Sequence, residues 1–190
     1  MISKHISKNS TILDVGSGNC SFGTYMKMHG FSVDSYDKYN SSALSKLPKN
    51  KIYDVVTCWH SIEHFHDINN IFDSMMKITN NKTMFFIALP NFDSIDSRLF
   101  NSNWIALDVP RHLFHFTSKT LSKYLKKYNI TIVNKHRRFQ DTFFNIYLSL
   151  RFNVLFKIIF MPIISLVTII FICFNLKFSS SLLYICKRNS

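Results

Sequence analysis

The sequence predicts an α/β domain built on a doubly wound, mostly parallel sheet. Three features lead there: short apolar, strand-like runs alternate with segments of helical period, the first run is followed by a glycine turn, and no internal repeat is present. At 190 residues the chain has room for one domain of ordinary size, and an apolar share of 47 % with 19 Phe can fill its core.

The first strand is Thr11-Ile12-Leu13-Asp14-Val15, and Ser21 to His29 follows as a helix with Gly30 as its stop. All 4 glycines lie between positions 16 and 30, so the backbone bends or meets a ligand closely in this one place. Phe31 to Tyr36 alternates as a second strand that ends on Asp37, and Tyr53 to Trp59 is a third apolar run. Asp67 can cap a helix whose apolar positions Ile68, Ile71, Phe72, Met75 and Ile78 recur at helical spacing. Thr83 to Leu89 is continuously apolar and closed by Pro90-Asn91, as a strand buried on both faces requires. Beyond an Asn-, Asp- and Ser-rich loop, Thr117 caps a helix marked by Leu121, Tyr124, Leu125 and Tyr128. Ile130 to Lys135 is a further strand, and Ser181 to Lys187 looks like the last strand of the sheet.

In such sheets a ligand sits at the carboxyl ends of the strands, where a glycine turn admits it and the next helix points its N-terminus at it. Gly16, Gly18 and Asp37 occupy those positions, and a carboxylate at Asp37 can accept hydrogen bonds from both hydroxyls of a ribose. A dinucleotide fingerprint would place glycine at position 21, where Ser21 stands.

Leu13-Asp14-Val15-Gly16-Ser17-Gly18-Asn19-Cys20 resembles motif I of class I S-adenosylmethionine-dependent methyltransferases. In that family an acid precedes the first glycine by two positions, and a third glycine often stands where this chain has Cys20. Tyr53 to His64 resembles the family's fourth-strand motif, which commonly ends in Glu-His, here Glu63-His64. Trp104 to Phe116 is similar to the Pro-Arg-His…His-Phe signature of a bacterial subfamily often associated with cell-surface polysaccharide or lipid-linked substrates. The resemblance implies a Rossmann-like fold, S-adenosylmethionine as cofactor and methyl transfer of the EC 2.1.1 type. It implies Asp14, Gly16, Gly18, Asp37 and Trp59 at the cofactor and Arg111 at the acceptor.

A sulfonium methyl is already activated, so the protein mainly aligns donor and acceptor and, for a hydroxyl acceptor, removes a proton. Histidine suits that base role, and the candidates are His115, His112 and His64, in that order. Hydrogen bonding within the loop or a membrane-facing surface accounts for Arg111, His112 and His115 equally well, and Glu63-His64 can be a helix-start pair. The set His60, His64 and His66 lacks a thiol or second acid nearby in sequence, so no metal is expected. Only sixteen residues separate Asp37 from Asp54, so the third strand and helix of the family look shortened, without a clear counterpart for the adenine-contacting acid.

Charge divides the chain. Residues 1 to 96 hold nine Lys and Arg against nine Asp and Glu, whereas residues 97 to 190 hold fourteen against two, so the formal +12 belongs to the second half. That half is also apolar, which favours an acidic membrane surface over nucleic acid as partner. Ile158 to Leu176 is uncharged, near the minimum for a membrane span, although Pro162, Ser165, Thr168 and Asn175 interrupt it. One crossing, an interfacial or hairpin attachment, and a helix packed on the domain all remain open, and a single crossing would strand Ser181 to Lys187 across the bilayer. The expected division is a cofactor-binding domain over 1–140 and an apolar, basic extension over 141–190 with a possible membrane segment at 158–176. Four cysteines without CxxC spacing and a polar, basic start fit a cytoplasmic protein with reduced thiols, membrane-associated through residues 143–176. The functional expectation is methylation, O-directed, of a sugar, lipid-linked or other small acceptor. Its alternatives are a quinone-type methyltransferase and a degenerate, membrane-attached module without activity.

Overall fold

A computed structural model describes residues 2, 5–37, 51–150 and 154–189. The segment between Asp37 and Asp54, where a shortened strand and helix are expected, therefore lies mostly outside the described residues. Chain order is β1 (Thr11–Val15), α1 (Ser21–Met28), β2 (Ser32–Tyr36), β3 (Val55–Trp59), α2 (Ile68–Lys77), β4 (Met84–Pro90), α3 (Ile95–Phe100), α4 (Ser118–Lys126), β5 (Ile130–Arg137), α5 (Phe139–Ser149), α6 (Val154–Phe174) and β6 (Ser181–Arg188). The six strands form one sheet in the order β2-β1-β3-β4-β6-β5. The first four run parallel, and β6 runs antiparallel between β4 and β5. This is the expected Rossmann-like, doubly wound and mostly parallel sheet.

Strand alternation sorts the core into two layers. Leu13, Val15, Val56, Cys58, Phe85 and Ile87 face one side, where Ile68, Ile71, Phe72 and Met75 of α2 and Leu121 and Leu125 of α4 cover them. Ile12, Val33, Val55, Phe86 and Ala88 face the other side, against Met26 of α1 and Phe31. Each such fully buried large side chain is worth roughly 1.5–3 kcal/mol relative to exposure. The caps match expectation: the Asp67 side chain accepts the Asn70 N–H, and Thr117 and Thr120 form a reciprocal capping box on α4.

The loop after β4 is pinned by a buried acid. The Asp96 carboxylate accepts from Trp104 Nε1 at 2.7 Å and from Ser180 Oγ at 2.5 Å, while Asn145 Nδ2 donates to Ser180 Oγ at 2.7 Å. One carboxylate thus ties the loop, α5 and the entry to β6 together.

Helices α5 and α6 turn small polar residues inward beside the buried Ile146 and Ile172. They bury Thr142, Asn145, Ser149, Ser165 and Thr168 and expose Phe144, Leu148, Ile158, Ile163, Leu166, Ile170 and Phe174. Over Lys157–Phe174 the mean hydropathy is 2.5, enough in length and composition for a span. Strand β6, immediately after α6, pairs with both β4 and β5.

Candidate active site

Parallel strands aim their carboxyl ends the same way, and the site collects there. The strand order reverses between β1 and β3, and a crevice opens at such a switch point. Gly16 follows β1, Asp37 follows β2, and His60 and Ser61 follow β3. Together with Gly18, His64, Phe65, His66, Pro110, Arg111 and Leu113 they line a cavity of about 570 Å³.

The glycine turn needs its glycines. Gly16 has φ +74°, and a Cβ there would stand 2.2 Å from Cβ of Ser61, whose hydroxyl donates to the Val15 carbonyl. A Cβ on Gly18 would meet nothing within 4 Å, so the turn is open toward the cavity at that residue. The Gly18 N–H donates to Asp37 Oδ2 at 2.8 Å, and the Gly16 and Ser17 N–H groups donate to the Tyr36 carbonyl. Asp37 thus lies against the turn rather than away from it. Cys20 holds a left-handed conformation at φ 61°, the geometry a glycine takes without strain.

Asp14 lies beneath the turn and is not part of the cavity wall. It is buried, accepts from Thr57 Oγ1 at 2.7 Å, and its carboxyl is pushed up to about 6 by burial, against the Thr57 hydrogen bond and with the nearby Asp37 charge adding to it. Trp59 is not brought to the glycine turn either. It alternates onto the face of Val55 and Thr57, meets the Phe22 ring of α1 at a tilt with centroids 5.3 Å apart, and lines another recess with Tyr25, Phe31 and His60.

A second cavity, of about 730 Å³, adjoins the first and shares His60 and Arg111 with it. Its walls include Asp108, His112, Gln140, Asp141, Phe144 and Leu148. Arg111 pairs with Asp108 at 2.9 Å and remains largely exposed between the two spaces. The sequence reading passed over His60 as more than a metal candidate. Its ring lies between Asp141, 3.2 Å from Nε2, and Glu63, 3.6 Å from Nδ1, and Arg138 closes the chain at 2.8 Å from Asp141. Burial pulls the imidazole down, but the two carboxylates outweigh it and raise it to about 9, while Asp141 is held down at about 2 against its own burial by His60 and Arg138. His60 is therefore an imidazolium at neutral pH.

The three candidate histidines separate. His64 lines the first cavity and His112 the second, with ring centroids 4.6 Å apart. His115 reaches neither. Its Nε2–H donates to the Leu107 carbonyl at 2.9 Å, and it borders only a small recess beside Phe92 and Trp104. His112 donates from Nδ1 to the Ala106 carbonyl at 2.7 Å, and its pKa lies below the usual histidine value, chiefly through burial.

Residues 2–135 match the family described as "Methyltransferase domain". The chain belongs to that family. Among solved structures, the methyltransferase fold is similar to the 1,6-didemethyltoxoflavin-N1-methyltransferase of Burkholderia thailandensis, crystallised with 1,6-didemethyltoxoflavin and S-adenosylhomocysteine (12% identity, TM-score 0.59, 98% of this chain and 74% of that one). It is also similar to magnesium protoporphyrin IX methyltransferase of Synechocystis PCC 6803 with bound S-adenosylhomocysteine (11% identity, TM-score 0.56, 95% and 75%). A third likeness is to an S-adenosylmethionine-dependent methyltransferase of Clostridium acetobutylicum (11% identity, TM-score 0.53, 100% and 87%). No curated protein sequence matches the chain.

Proposed function

We propose that the chain is an S-adenosylmethionine-dependent O-methyltransferase that works at a membrane surface on a small acceptor with an apolar part. The carrying observation is the pair of adjoining cavities, one built on the glycine turn and Asp37, the other walled by His112, Phe144 and Leu148. S-adenosylmethionine is the methyl donor, and when bound it supplies a methyl already activated on a sulfonium sulfur. The first cavity fits a nucleoside: Gly18 leaves open space, and Asp37 offers its carboxylate to a ribose beside the turn.

Arg111 and His60 stand where the two cavities meet and fix how donor and acceptor face each other. For a hydroxyl acceptor, the donor would supply its methyl to an oxygen that this chain holds in line with it, and the hydroxyl proton would have to leave. We take that proton to be lost beside Glu63, His64 and His112 rather than beside His115, whose ring donates to the Leu107 carbonyl away from both cavities.

The exposed apolar residues of α5 run into the second cavity through Phe144 and Leu148, so a lipid-linked or quinone-like acceptor has a continuous apolar path. Lys157 and Lys177 flank the apolar stretch of α6 and suit an anionic lipid surface on the cytoplasmic side. Incubation of the chain with methyl-labelled S-adenosylmethionine and a panel of sugar, phenolic and polyprenyl-linked hydroxyl acceptors tests the reading. Label transfer to at least one, lost in Asp37→Ala, is expected. S-adenosylhomocysteine binding without transfer to any hydroxyl would leave a cofactor-binding module and remove the O-methyltransferase assignment.

A further inference from the structure

Glu63 is the only glutamate in the chain, and the fold buries it to 1 % exposure. Neither carboxylate oxygen accepts a hydrogen bond among the described residues, and the nearest cation, Nδ1 of His60, stays at 3.6 Å, beyond hydrogen-bond reach. The His60 imidazolium stands on one side of this carboxylate at ion-pair distance, and both oxygens keep acceptor capacity for a further positive group.

Two imidazoles converge on the same point. One ligand atom each from Glu63, His64 and His112 lie within 4.8 Å of one another. Both rings are locked in the same tautomer, because Nδ1–H of His64 donates to the Arg111 carbonyl at 2.9 Å and Nδ1–H of His112 donates to the Ala106 carbonyl at 2.7 Å. In this tautomer Nε2 is the acceptor nitrogen of each ring, and that of His112 also lies 3.9 Å from Asp108 Oδ2. A backbone carbonyl on the far ring nitrogen is the arrangement that orients metal-binding histidines. The spacing contracts by roughly 1.5 Å to reach a filled shell with bonds of about 2.1 Å, within reach of side-chain rotation.

From this geometry we infer that Glu63, His64 and His112 form a binding site for one divalent transition-metal cation, of the two-histidine, one-carboxylate type, in the wall between the two cavities. Imidazole and carboxylate donors favour Zn²⁺ or Fe²⁺ over Mg²⁺ or Ca²⁺. Three protein ligands leave coordination positions for the acceptor, since His64 borders one cavity and His112 the other. The role rests on the methyltransferase reading above: the cation would hold an acceptor hydroxyl and lower its pKa, the released proton passing to water. The binding itself does not depend on that reading. Sequence spacing conceals the site, because His112 lies on a distant loop and His66, its apparent partner, is exposed.

The full chain, stripped with chelator, is to be titrated with Zn²⁺ and separately with Co²⁺. One tight equivalent is expected, with Co²⁺ giving visible ligand-field bands, and Glu63→Gln, His64→Ala and His112→Ala each weakening Zn²⁺ at least tenfold. His66→Ala should leave the affinity unchanged. No saturable equivalent, no Co²⁺ bands in the unaltered chain, or equal affinity in the three variants would overturn the site. S-adenosylhomocysteine titrated into the same samples separates the two readings: metal binding without nucleoside binding would sink the proposed function alone.

Discussion

Burial raises the Asp14 carboxyl from 3.8 to about 6, which ties one side chain to the pH dependence of the whole fold. The folded state holds this proton more tightly than the unfolded chain, so stability falls as pH rises from about 4 to 6, by roughly 3 kcal/mol at 1.36 kcal/mol per unit. Asp14→Asn keeps an oxygen for Thr57 and removes the ionisation. Urea unfolding at pH 4.5 and 7 should show that slope flattened and the variant more stable at pH 7; an unchanged slope would refute the assignment. Cys20 invites a second substitution. Its left-handed backbone costs a non-glycine residue roughly 1–2 kcal/mol, so Cys20→Gly should stabilise the chain by up to about 1 kcal/mol after the added freedom of the unfolded state. Cys20→Val should destabilise it in the same denaturation experiment. Gly16, Gly18 and Asp37 are legible in the sequence because they lie on two neighbouring strand ends. His60 is not, since its partner Asp141 reaches it only after α5 folds back over the sheet, even though Glu63 stands three residues away. Trp59 lines a different recess from the glycine turn for a reason strand alternation already contains: it shares a face with Val55 and Thr57.

Elements were legible wherever period and cap agree. Strands β1, β4 and β6 and helices α2 and α4 begin and end within a residue or two of the positions their patterns imply. Patterning does not disclose that α5 and α6 turn small polar residues inward: α6 is apolar around most of its circumference, and in α5 the polar Thr142, Asn145 and Ser149 would be expected to face water. Nor does it disclose the Asp96 hub, whose partners Trp104 and Ser180 lie in separate segments. Trp104→Phe removes one charge-assisted hydrogen bond to a fully buried carboxylate, and a loss of about 2–3 kcal/mol is expected. Limited proteolysis should then cut within residues 91–116 first. An unaltered midpoint would mean that the loop is held elsewhere.

At the scale of the molecule, three features belong together: a nucleoside-sized cavity at the switch point, a second cavity sharing His60 and Arg111 with it, and an exposed apolar surface that meets the second cavity at Phe144 and Leu148. Since β6 returns to the sheet directly after α6, alkaline carbonate should release the chain from membranes, and binding to anionic vesicles should weaken with salt. Retention after carbonate would contradict a peripheral attachment. The most direct test of the central claim is calorimetric titration of the intact chain with S-adenosylhomocysteine, with Asp37→Ala beside it. One saturable site is predicted, weakened at least tenfold in the variant at unchanged melting temperature. No heat from the intact chain, or equal affinity in both proteins, would contradict the claim that a nucleoside is held between the glycine turn and Asp37.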